Sequence, residues 1–167
     1  MPLTPVQFVD ESIHRQIKVS RYANGQVKYA QELLDELNDR IAKYILRNSI
    51  LESKVQYTDS KVYIRKRCIE YRDRFYKYLQ KELREFVKEQ SKWVYNNSSV
   101  KLEKKKVDAI TRDVFFEAFS ETDSIKVYVQ RIFNQVFQLW NAQLTISYRT
   151  KQPLKDMVKL VLGRVVK

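Results

Sequence analysis

The sequence predicts an all-α protein, a long antiparallel helical hairpin followed by a smaller C-terminal helical cluster in an elongated molecule. Three observations predict it. Only two glycines and three prolines occur in 167 residues, too few for the closely spaced turns of a β protein. Apolar residues recur with alternating gaps of three and four, the spacing of one helical face. Charged residues reach 31% while hydrophobic residues make up 44%, enough for a core with solvated helix faces around it. The length suits one domain of ordinary size.

The elements follow in chain order. Thr4-Pro5-Val6-Gln7 has the form of a capping box with proline in the first turn, so a helix begins there. From Val27 a stripe reads Val27, Ala30, Leu34, Leu37, Ile41 and Tyr44, with Ile13, Ile17 and Ala23 extending it upstream. Asn24-Gly25 is the weak point, where a bend or break is expected. Unbroken, residues 13–48 would run roughly 50 Å at 1.5 Å per residue. A polar stretch over 52–60 separates this helix from the next, with Thr58, Asp59 and Ser60 as caps. The second helix is expected over 61–95, its stripe carrying Ile64, Cys68, Tyr71, Phe75, Tyr78 and Leu79, Glu82 and Leu83, then Phe86. Two such helices on a short link fold back on one another.

Asn96-Asn97-Ser98-Ser99 is read as a loop, which sets the expected boundary between a hairpin over 1–97 and a helical region over 98–167. A shorter helix covers 107–119, with Ile110, Val114, Phe115 and Ala118 inward. Thr122, Asp123 and Ser124 cap a third long helix bearing Ile125, Val129, Ile132, Phe133, Val136, Phe137, Trp140 and Leu144. That apolar face is broad enough to pack between elements or against another chain. Pro153 starts a last short helix and Gly163 stops it.

Little in the residue inventory suggests catalysis. Cys68 is the single cysteine and His14 the single histidine, so neither an intrachain disulfide nor a Cys/His zinc site can form within one chain. His14 has no nucleophile motif beside it, Gly25 and Gly163 are isolated rather than part of a phosphate loop, and the carboxylates sit among opposite charges at helical spacing. We expect no enzyme, no metal and no cofactor. No apolar run approaches a membrane span and no secretory signal opens the chain, so synthesis in a reducing cytoplasm is expected.

The charge balance is the more informative feature. Lys and Arg number 32 against 20 Asp and Glu, a formal +12, which favours a polyanionic partner. Over 61–106 there are 15 cations and six acids. Arg65, Lys66, Arg72, Arg74, Lys77, Lys81, Lys104, Lys105 and Lys106 are the candidate DNA or polyanion contacts, and Tyr63, Tyr71, Tyr76 and Tyr78 interleave with them. Two readings stand: a sequence-nonspecific, salt-sensitive nucleic-acid surface, or tyrosines at the edge of the bundle core with lysines solvating the outside.

Several runs resemble the head-morphogenesis, or minor head protein, family of tailed bacteriophages (Mu-type protein F). They are the stretch from Ile13-His14-Arg15 through Arg21-Tyr22 and Asn24-Gly25 into Leu33-Leu34-Asp35-Glu36-Leu37, then Glu89-Gln90-Ser91-Lys92-Trp93, and finally Ile146-Ser147-Tyr148 through Pro153 to Leu162-Gly163. The likeness spans about residues 8–165 and is a pattern of helices more than an invariant motif. It implies a structural and assembly component of the virion, made in the bacterial host cytoplasm. Such a protein sits at the portal vertex and inner capsid, with portal and major capsid proteins as partners, several copies together, and packaged DNA within reach during packaging or ejection. Many relatives continue past the final glycine into another domain, whereas this sequence stops at Lys167. The broad face with Phe133, Phe137, Trp140 and Leu144 is the expected protein interface, together with the exposed end of the first hairpin. The rival expectation is a free helical nucleic-acid-binding accessory protein without a virion partner.

Overall fold

A computed structural model of the chain describes residues 4–98, 103–116 and 124–163. Among the described residues there are five helices and no strand: α1 (Pro5–Ile45), α2 (Lys54–Ser98), α3 (Lys104–Phe116), α4 (Ile125–Thr150) and α5 (Leu154–Leu162). The protein is all-α. Its starts and stops follow local chemistry. Thr4 and Gln7 form the reciprocal box expected of them: the Gln7 amide donates to Thr4 Oγ1, and the Thr4 amide donates to Gln7 Oε1. The α1 helix then runs through Asn24-Gly25 without the expected break. One glycine in an otherwise good helical sequence costs only about 1 kcal/mol relative to alanine, too little to break a helix packed along its length.

The second helix starts earlier and ends later than the sequence suggests. Ser53, not the 58–60 triplet, caps it: the Gln56 amide donates to Ser53 Oγ, and Gln56 Oε1 accepts from the Glu52 amide. At the far end the helical backbone continues through Asn96, Asn97 and Ser98, where the sequence alone predicts a loop. The triple lysine 104–106 likewise forms the first turn of α3. Ser124 Oγ accepts from the Val127 amide and so caps α4; Thr122 and Asp123, offered beside it, lie outside the described residues. Gly163 closes α5 in the left-handed conformation, φ 62°, which a residue without Cβ adopts at no steric cost.

The chain forms two compact units, each drawing on both its earlier and later parts. One is Met1–Gln31 with Phe75–Val127, the other Glu32–Arg74 with Tyr128–Lys167. This division cuts through α1 and α2, not between 97 and 98. In the second unit the core is aliphatic at its centre. Leu33, Leu37, Ile41 and Ile45 of α1 meet Ile64, Cys68 and Tyr71 of α2, and Trp140, Leu144, Leu154, Met157 and Val158 close it. The pairs Tyr44–Tyr63, stacked with centroids 3.8 Å apart, and Glu36–Tyr71 show that the two helices run antiparallel here.

In the first unit the same two helices meet through aromatic and polar side chains. Tyr22 stacks on Phe86 at 4.7 Å, Tyr29 on Tyr78 at 3.8 Å, and the Arg15 guanidinium lies 4.4 Å from the Trp93 ring centroid. These side chains take the α2-facing positions that apolar periodicity predicts for Val27, Ile17 and Ile13. Val27 is 70% exposed, and the true buried stripe farther along uses Leu33 in place of Leu34. In α3, Val107 and Thr111 face inward while Ile110 is 38% exposed, a further correction. Val114, Phe115 and Ala118 fall on side chains outside the described set.

Candidate functional site

Two surfaces, both in the first unit, stand out. The first is a stripe on α1. Val6, Val9, Ile13 and Ile17 stand three or four residues apart and so share one face. They are 72%, 55%, 50% and 47% exposed. Val27 lies on the same face, whereas the side toward α2 is taken by Arg15, Tyr22 and Tyr29. A helix that presents β-branched apolar residues opposite its own packing face has more apolar surface than its unit covers.

The second surface is an open cleft of about 380 Å³ between α2 and α3, lined by Gln80, Lys81, Arg84, Glu85, Asp108, Thr111 and Arg112. Lys77, Lys81, Arg84 and Lys88 follow one another at gaps of four, three and four, which places them along one ridge of α2. On α3, Lys104 stands one turn before Asp108 and Lys105 two turns before Arg112, both exposed. Arg84 Nη2 pairs with Asp108 Oδ1 at 2.8 Å, with the two side chains 40% and 44% exposed. Its Nε–H is buried with no acceptor. The Thr111 hydroxyl is spent on the Val107 carbonyl at 2.8 Å.

The candidate cations thus separate into two groups. In the second unit the arginines are engaged. Arg74 pairs with Glu36 at 3.2 Å and Arg72 with Asp73 at 3.1 Å, while Arg65 covers the Phe137 ring at 5.1 Å. Lys66 is exposed beside them. This unit holds 17 Lys and Arg against nine Asp and Glu, the first unit 15 against 11. Net charge therefore favours the second unit, but the ridge of cations beside an open cleft belongs to the first, where Lys77, Lys81 and Lys104–Lys106 lie exposed.

The interleaved tyrosines do not join either surface. Tyr71 is fully buried and its hydroxyl donates to Glu36 Oε1 at 2.6 Å. Tyr63 and Tyr78 stack on α1 tyrosines, and Tyr76 donates to the Lys126 carbonyl at 3.2 Å. They form the seams between helices. Burial, with the Glu82 charge next in effect, pushes the Tyr22 phenol up to about 12.

The expected interface on α4 is corrected. Phe133, Trp140 and Leu144 are at most 3% exposed, and Trp140 Nε1 donates to Asn38 Oδ1 at 2.9 Å. They are the core of their own unit, because the broad apolar face of α4 packs inside it. Phe137 is half-buried under Arg65. Sequence periodicity shows that a face is apolar but not which element covers it.

His14 is exposed on α1, its Nδ1–H donating to the Asp10 carbonyl at 2.9 Å. Cys68 is buried, and burial pushes its thiol up to about 12, which makes it an inert core residue. Among the described residues no group of three or more His, Cys, Asp or Glu could hold a metal ion. No described helix is long and apolar enough to cross a membrane.

Compared with known proteins, the chain matches no family model, no curated protein and no solved structure.

Proposed function

We propose that this chain is a structural and assembly component of a tailed-phage virion, a minor head protein held at the portal vertex and inner capsid and made in the bacterial host cytoplasm. The observation that carries the reading is the α1 stripe, whose four residues Val6, Val9, Ile13 and Ile17 are each 47–72% exposed. A helix of that kind is completed by a neighbour, and in a particle assembled around a portal ring the neighbour is a portal or capsid subunit or another copy of the chain. The sequence likeness to minor head proteins supports the same reading. The role is architectural, with no catalytic step and no cofactor.

The test is particle residence. Mass spectrometry of purified virions is expected to detect the chain, and a tagged copy is expected to retain portal protein on a column. The double substitution Ile13→Lys with Ile17→Lys leaves helicity intact, since both positions are about half exposed, and abolishes both results. Absence from particles, together with a monodisperse monomer that ignores portal, overturns the reading. The cleft between α2 and α3 favours a second reading, a free nucleic-acid-binding accessory protein, which would bind DNA at physiological salt and be missing from mature particles.

A further inference from the structure

We propose that the cleft between α2 and α3 seats the phosphodiester backbone of nucleic acid, with Lys81, Arg84 and Arg112 at its walls and Lys77, Lys88 and Lys105 along its rims. The proposal rests on the cleft and its ridge alone, and it stands whether the chain works inside a particle or free.

Four cations from Lys77 to Lys88 recur every three or four residues, so successive charges stand about 4.5–6 Å apart along a ridge of roughly 17 Å. One strand of duplex presents a phosphate about every 3.4 Å of axis, so the ridge faces about five of them. A regular linear array of positive charge suits a polymer with a regular linear array of negative charge. Glu85, which pairs with Lys88 at 3.3 Å, and Asp108 interrupt the array, and Arg112 pairs with Asp113 at 3.7 Å, so the excess of cations lies on the α2 wall.

Arg84 supplies the second, independent observation. It holds Asp108 through one nitrogen, at 2.8 Å, while its Nε–H has no acceptor. The pair is 40% and 44% exposed, and an ion pair so open to water is weak. A phosphate displaces Asp108 at little cost and takes its place at the exposed Nη end of the guanidinium, while the buried Nε–H stays beneath the surface. Asp108 then acts as a competitor for the site.

No aromatic side chain is among the residues lining the cleft, so recognition is by backbone charge. Duplex and single strand are accepted alike and base composition has no influence. With six cations set against Glu85, Asp108 and Asp113, the last paired with Arg112 at 3.7 Å, about three phosphates are neutralised, and log K should fall against log salt with a slope of about −2.7.

The test is fluorescence anisotropy of a labelled 20-base-pair duplex titrated with the full chain across a range of sodium chloride. Lys81→Gln with Arg112→Gln is expected to weaken binding at least tenfold and to make the slope shallower by about 2. Arg65→Gln with Lys66→Gln, on the other unit, is expected to stay within twofold of wild type. Asp108→Asn is expected to bind about threefold more tightly, a gain that no loss of folding can imitate. A slope shallower than about −1, an equal loss from the Arg65/Lys66 pair, or weaker binding by Asp108→Asn overturns the proposal. So does equal competition by polyglutamate, which would make the partner an acidic protein surface. A chain absent from virions that still binds DNA in this way refutes only the particle reading, and the converse result refutes only this one.

Discussion

Replacing Trp140 by phenylalanine separates a core residue from a docking residue. Trp140 is fully buried and its indole N–H donates to Asn38 Oδ1 at 2.9 Å. Phenylalanine keeps a ring in the site but removes the donor and part of the ring volume. The smaller ring leaves a cavity worth about 1–2 kcal/mol. Losing the hydrogen bond while the half-buried Asn38 oxygen stays unmatched adds about 1–2 kcal/mol. The sum, about 2–4 kcal/mol, lowers Tm by roughly 5–15 °C in a chain of this size. Urea unfolding followed by far-ultraviolet circular dichroism measures it, with Asn38→Ala and the double variant completing a cycle. The coupling between the two positions should be about 1 kcal/mol. A Trp140→Phe protein as stable as wild type, or a coupling near zero, would mean that the indole faces a partner and not the interior.

Two further outcomes follow from local geometry. Gly25 lies inside α1, and a Cβ built on it meets nothing within 4 Å; Gly25→Ala should therefore stabilise the protein by about 0.5–1 kcal/mol in the same unfolding assay, whereas a loss would reveal strain in the backbone at that point. The Glu36 carboxyl is held below its usual 4.5, first by the Tyr71 hydroxyl and then by Arg74. A lowered folded value stabilises the protein above the ordinary carboxylate range, and that contribution is lost as pH falls through the lowered value. Tyr71→Phe should thus cost stability near neutrality, with the gap to wild type narrowing as pH falls below the ordinary carboxylate range; a gap that stays constant with pH would exclude Glu36 as the partner that matters.

Helix content was legible because stripes with gaps of three and four have no competing explanation in a chain with two glycines. Rotation about each helix axis was less so. Counting apolar residues alone put Val27 and Ile13 inward, yet tyrosine at 22 and 29 supplies larger rings that stack on Phe86 and Tyr78. A stripe of valine and isoleucine is thereby left outward. The Ser53-x-x-Gln56 cap was present in the sequence in the same form as the Thr4 box, but the 58–60 triplet drew the boundary to itself. The cleft was half legible. Lys77, Lys81 and Lys104–Lys106 could be named from charge, but Arg84 and Arg112 could not, because only the packing of α3 beside α2 brings Asp108 to Arg84. The arginines of the second unit were equally prominent in sequence, and their acidic and aromatic partners come from residues as far away as Glu36 and Phe137.

Lys151 carries a consequence of its own. It follows α4 with φ 55°, the single positive-φ residue other than glycine among those described, while its ammonium donates to the carbonyls of Leu51 at 2.9 Å and Glu52 at 3.2 Å. Local preference asks for glycine at such a position, and glycine would relieve about 1 kcal/mol of steric cost. It would also sever the tether that holds the approach to α2 from a hundred residues away. Any modification that neutralises this amine, acetylation above all, would leave the backbone kink in place and remove the reason for tolerating it.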